Sequence, residues 1–268
     1  MAGHVAAESS KPQARLQPHQ QTVDAPTKLM MRAHIAPSRP FPLPIRLGLS
    51  VFLAFHLYLN IPFYGPLNYL WFCDLALLMT FAAVWTGNRL LLSMTAVSFI
   101  GPAALWMIDV SHKLITGHDW LGWTDYMEDT RLPLAIRLMS TFHVWLPALL
   151  LYCIRRVGYD ARALWAQTLL AIGVLILCRT IVPPPPAHSI HEIVNVNAVY
   201  GTSDTAPQTR LPVPLYLLKL VVKSWVAFYL PAHLLLNGLF GIRGRMRPNA
   251  PGAEEEISVD PVHSLGTR

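Results

Sequence analysis

The 268-residue chain is 53% apolar and only 13% charged, with a mean hydropathy of +0.38, which excludes an ordinary soluble domain and a wholly disordered chain. Its net charge of +6 comes with no nucleic-acid motif and is explained by membrane topology and attraction to an anionic inner leaflet. Three well-separated cysteines exclude a disulfide framework.

Residues 1–44 are polar and broken by Pro12, Pro18, Pro26, Pro37 and Pro40, and read as a disordered cytoplasmic tail. No signal-peptide core follows the amino terminus, so the first apolar block is expected to act as an uncleaved anchor. Apolar blocks then fall at 47–64, 67–86, 90–111, 132–154, 163–182 and 212–240. Each has the roughly 17–25 residues, or slightly more, that a helix needs to cross a hydrocarbon core. They predict an all-α polytopic membrane protein: a bundle of six transmembrane helices within 45–241, followed by a disordered cytoplasmic tail, 242–268.

Orientation follows from the basic residues, which are retained in the cytoplasm. Most of the 21 lie on one side of this topology. They include Lys11 to Arg46 before the first helix, Arg89 between the second and third, Arg155, Arg156 and Arg162 between the fourth and fifth, and Arg243, Arg245, Arg247 and Arg268 after the sixth. Both termini are therefore expected in the cytoplasm.

Ionisable side chains inside a membrane are costly and call for pairing, a water-filled cavity or a function. Here they gather in the outer half. Cys73 and Asp74 fall early in the second block, Asp109 and His112 close the third, and Arg137 enters the fourth. His143 lies near the midplane on the face of Ser140, and His56 near the middle of the first block. Arg179 ends the fifth, and Lys219 and Lys223 share one face of the sixth. Asp109 and His112, three apart, share a face on which the carboxylate is expected to orient the imidazole. The competing reading is that these charges pair for structure or snorkel to the interface.

Cys73 is the candidate nucleophile, because a nearby imidazole can take a thiol proton and its neighbour Asp74 requires a partner. Cys153 and Cys178 lack polar surroundings and read as packing residues. The acidic, aromatic loop from His118 to Asp129 suits the lipid interface and is expected to act as a lid. The next outer loop opens with Pro183 to Pro186 and carries His188, His191, Glu192, Asn195 and Asn197. The spacing of His188, His191 and Glu192 is too weak to assign a metal.

The succession Trp71-Phe72-Cys73-Asp74-Leu75-Ala76-Leu77, His143, Gly158-Tyr159-Asp160 and Asn195-Val196-Asn197-Ala198-Val199-Tyr200-Gly201 resembles an uncharacterised bacterial membrane-protein family. It is distantly similar to YwaF-like integral membrane proteins, a group with a eukaryotic transmembrane acyltransferase branch. In that branch an early-helix Cys and a later His form the presumed catalytic pair, which the resemblance places at Cys73 and His143. The similarity covers roughly 67–235, and this chain departs from the group in its longer outer loops.

The expected function is an intramembrane lipid acyltransferase or lipid hydrolase. His143 activates Cys73, the thiolate attacks an ester, and the acyl group passes to another lipid or to water. Asn195 or Asn197 donates to the oxyanion, Asp74 or Asp109 orients an imidazole, and Arg137 or Lys219, with His112 nearby, holds a phosphate headgroup. Membrane lipids are the partners; neither a cofactor nor a metal is called for, and the simplest location is a bacterial inner membrane. A zinc hydrolase using Asp109, His112 and His143 requires paired His residues in the last helix, where only His233 occurs. The remaining alternative is a non-catalytic transporter or assembly partner whose polar residues serve packing or ligand binding.

Overall fold

The computed structural model describes residues 41–241. Those residues contain helices and loops and no strand. α1 (Leu43–Tyr64) starts on Pro42 and Pro44, where a missing N–H costs nothing, and ends at Gly65, whose φ of 79° breaks the helix. A 3-10 segment, Pro66–Leu70, precedes α2 (Phe72–Thr86). Gly87 in the left-handed region stops α2, and the Asn88 side chain accepts from the Leu91 N–H to cap α3 (Arg89–Thr116). This tight corner makes α2 and α3 an antiparallel hairpin.

After the loop 117–133 come α4 (Leu134–Met139) and α5 (Phe142–Val157), one apolar span interrupted at Ser140 and Thr141. α6 (Ala163–Ile181) leads into the loop 182–212. The last span is α7 (Val213–Ser224), a π segment (Trp225–Tyr229), α8 (Leu230–Leu236) and a second π segment (Asn237–Gly241). Pro231 has no N–H to give to the turn before it, and the Leu230 N–H bonds the Trp225 carbonyl five residues back. The ladder is shifted rather than broken.

Five spans are long and apolar enough to cross a membrane: 43–64, 89–116, 134–157, 163–181 and 213–241. The chain is an all-α polytopic integral membrane protein. The second expected helix is the exception, because α2 has 15 residues, about 22 Å of rise against a ~30 Å core. Its amino-terminal part is the 3-10 segment instead. Irregular backbone at membrane depth survives only where protein covers it. Here Leu70, Trp71 and Phe72 pack with Val196, Val199, Val174 and Leu175 in a satellite core, so the loop 182–212 supplies the cover.

The ends of the spans meet their neighbours as alternating helices should. At one end His191 Nδ1 lies 3.1 Å from the Phe63 carbonyl, and Asn197 reaches Leu70 and Phe72. At the other, Arg89 and Arg162 flank Asp160, and the Tyr159 hydroxyl meets His233 Nδ1 at 2.7 Å. α3 is the central helix, packed against α2, α5, α6 and α8. Phe41 is buried and α1 begins at Leu43, so residues 41–44 join the bundle rather than the expected disordered tail. Residues 1–40 and the expected tail 242–268 lie outside the described residues.

Candidate functional site

The site is built where α1 and the start of α2 pass each other. His56 and Asp74 are both buried, and His56 Nε2 stands 3.3 Å from Asp74 Oδ1. On its other side His56 Nδ1 is 2.9 Å from the Tyr69 hydroxyl, which also reaches the His56 carbonyl at 3.2 Å. Asp74 Oδ2 faces the Cys73 thiol at 3.7 Å and the Asn68 amide at 3.5 Å. His56 lies eight residues before the end of α1, so the pair sits about 12 Å below that end. An intramembrane carboxylate thus finds its partner on a neighbouring helix.

The Tyr69 hydroxyl has two acceptors in reach, and its choice sets the proton on the imidazole. When it donates to Nδ1, Nε2 carries the ring proton and donates to Asp74. When it donates to the His56 carbonyl, Nδ1 donates to the hydroxyl and Nε2 is left as a base. Cys73, Asp74 and His56 then form one proton path through the two carboxylate oxygens.

His143 lies close by but is held differently. Its Nδ1 is 2.8 Å from the Ser140 carbonyl, an acceptor, so Nδ1 carries the proton and the neutral ring presents a bare Nε2. The ring stacks on Trp106, with centroids 4.9 Å apart and planes 16° apart, and on Phe142 at 4.3 Å. Phe142 also packs edge-on against His56 at 5.8 Å. No hydrogen bond joins His143 to Cys73 among the described residues; the thiol's partner is Asp74. Above them the Tyr126 hydroxyl accepts from Trp106 Nε1 at 3.0 Å and meets Ser140. Burial pushes that phenol up to about 12.

No family model, no curated protein and no solved structure matches the chain.

Several residues expected at the site hold loops instead. Asp109 is buried, and its carboxylate accepts from the backbone N–H groups of Leu121 (2.7 Å), Trp123 (2.9 Å) and Thr124 (3.1 Å) and from the Thr124 hydroxyl (3.0 Å). It orients no imidazole: His112 Nδ1 turns to the His118 carbonyl at 3.0 Å. Lys113 joins the same loop to Asp119, Asp125 and Glu128, so 117–133 is a pinned cap, not a loose lid.

Asn195 and Asn197 are likewise committed, and neither amide is free for an oxyanion. Asn197 donates to the Leu70 carbonyl (2.8 Å) and accepts from the Phe72 N–H (3.1 Å). Asn195 donates to Gly201 (3.0 Å) and accepts from Tyr200 (2.9 Å). Both have positive φ, 50° and 56°, a conformation that Asn tolerates better than most residues. The Asn197 clamp fixes the backbone immediately before Cys73.

The cationic candidates are dispersed. Arg137 donates to the Met127 carbonyl at 2.9 Å, Arg179 lies over the Tyr200 ring, and Lys219 is exposed on α7 beside Tyr216. Lys219 is thus kept outside the cluster, as a snorkelling side chain is. Asp109, His112 and His143 do not converge, and no group of three potential metal ligands occurs among the described residues. Glu192 takes the His188 N–H and His191 the Phe63 carbonyl.

Proposed function

We propose that this membrane protein is an enzyme of lipid acyl chemistry whose nucleophile is Cys73, with Asp74 and His56 as its proton acceptor. The observation that carries the reading is the position of Asp74, one carboxylate oxygen on the thiol and the other on an imidazole of the neighbouring helix. The thiol proton passes to Asp74 Oδ2 as the carboxyl's own proton on Oδ1 passes to His56 Nε2, leaving a thiolate, a neutral carboxyl and an imidazolium. Net charge is unchanged, and the imidazolium offsets the thiolate.

The thiolate attacks a lipid ester carbonyl, the C–O bond breaks, and the departing alkoxide takes the proton back from the His56–Asp74 pair. Cys73 then carries a thioester. In the second half, the bare Nε2 of His143 takes the proton of an acceptor hydroxyl or water, whose oxygen attacks the thioester and releases the thiolate. This keeps the Cys and His pair suggested by the resemblance to the acyltransferase branch of YwaF-like proteins, but divides the work between two imidazoles. It fits a bacterial inner membrane with both termini in the cytoplasm.

The test is mass spectrometry of the protein in lipid nanodiscs, seeking a hydroxylamine-labile acyl adduct on Cys73. Cys73→Ser should abolish it and His56→Asn should slow its formation. His143→Asn should let it accumulate, because only the second half fails. An adduct insensitive to His56→Asn would refute the proton path.

A non-catalytic reading has one specific observation behind it. Asp109, Asn195 and Asn197 all fasten loops to helices, which is what a purely structural set of polar residues does. Absence of any Cys73 adduct together with unchanged lipids would favour it.

A further inference from the structure

An apolar groove runs along the membrane-facing side of α1 and α5, lined by Ile45, Gly48, Leu49, Phe52, Trp145 and Leu149, with a volume of about 440 Å³. At its upper end Phe52 meets Trp145 edge-on, with centroids 4.9 Å apart and planes at 85°. The same Phe52 ring packs against His56 at 6.0 Å. The groove therefore ends at the Phe52 ring, which packs against the imidazole of the candidate site.

Its depth is set by the helix. Ile45 lies eleven residues below His56, about 16 Å of rise, close to half of a ~30 Å hydrocarbon core.

Gly48 gives the second observation. Glycine in a membrane helix usually lets another helix come close. Here a Cβ added at Gly48 would meet nothing within 4 Å. The space left by the missing side chain is filled by no part of the described chain, although glycine costs a helix stability relative to alanine.

We infer that this groove holds the acyl chain of the lipid on which Cys73 acts, and that Gly48 sets how long that chain can be. The inference rests on Cys73 as nucleophile and adds the substrate class: a lipid with a long, unbranched acyl chain, lying lengthwise beside α1 with its ester at the level of His56. Phe52 and Trp145 stand where the chain turns from groove to site.

The experiment reads the mass of the acyl group on Cys73 in nanodiscs made from phosphatidylcholines with acyl chains of mixed length. Wild type is compared with Gly48→Leu and Gly48→Phe, at a position where an added Cβ meets nothing within 4 Å. Gly173→Phe, on α6, is the matched control, since a Cβ there also meets nothing within 4 Å. The expected result is a graded loss of the longest adduct, about tenfold or more for Gly48→Phe, the scale of an overfilled site, with shorter chains retained. Gly173→Phe should match wild type. A wild-type adduct whose chain lengths do not change in Gly48→Phe overturns the groove while leaving the nucleophile intact. No adduct on wild type overturns the nucleophile, and the groove's role with it.

Discussion

Replacing Asp109 distinguishes a residue that folds a loop from one that performs chemistry. Its buried carboxylate accepts four hydrogen bonds of 2.7–3.1 Å, three from backbone N–H groups between Leu121 and Thr124. A hydrogen bond to a charged group is worth about 1.5–3 kcal/mol, and a buried donor left without a partner costs about 1–3 kcal/mol. Water reaching the opened loop recovers part of this, so Asp109→Ala should cost about 3–5 kcal/mol and Asp109→Asn, which keeps one acceptor oxygen, about 2–3 kcal/mol. SDS-induced unfolding in mixed micelles measures the cost. Limited proteolysis localises it, with cleavage appearing between 117 and 133 well before global unfolding. The reasoning fails if Asp109→Ala leaves that loop protected and stability within about 1 kcal/mol of wild type. Loss of activity with the loop intact would instead return Asp109 to the chemistry.

Asn197→Asp should keep the bond to the Phe72 N–H but lose the donor to the Leu70 carbonyl. Asn197→Ala should lose both and add strain at a φ of 56°, for a total of about 2–4 kcal/mol; the same SDS titration ranks the two. Gly101→Ala would place a Cβ 2.8 Å from Phe228 Cδ1, an overpacking expected to cost about 1–3 kcal/mol and to be relieved in the double variant with Phe228→Leu. At the opposite end of the bundle, the Arg162 guanidinium beside Asp160 holds its carboxyl below the usual carboxylate range. That contribution to stability is present above the unfolded carboxyl's value and is lost as pH falls through the lower folded one. Stability should therefore drop more steeply in acid for wild type than for Asp160→Asn, as a pH series of melting curves would show.

The positions of the spans were legible in the sequence because apolar length sets them: expected blocks such as 47–64 and 163–182 fall within a few residues of α1 and α6. The interruptions were not. The 3-10 entry to α2 depends on cover from residues more than 120 positions away, and the first π segment depends on where a proline removes one donor. Asn195 and Asn197 were visible as unusual, but an amide that can serve an oxyanion can equally serve a carbonyl. Only backbone geometry decides between them. Two asparagines close together outside a helix, able to adopt positive φ, were the available sign of a turn.

His56 was the partner that sequence reasoning left out, and the reason is one of levels. An uninterrupted second helix from 67 would enter with Asp74 only about 10 Å below its own start, on a face that spacing alone does not fix. In the structure α2 begins at Phe72, already deep, because Pro66–Leu70 carries the chain inward without completing a helix. The descent brings the first turn of α2 level with the middle of α1. It places Asp74 against His56, Tyr69 across from the same ring, and Cys73 on the other carboxylate oxygen. Asn197 keeps that entry from straightening, since its amide bonds both sides of Trp71. The loop residue thus acts on the site by position. Freeing it would let α2 lengthen outward and draw Asp74 away from the imidazole on which the proton path depends.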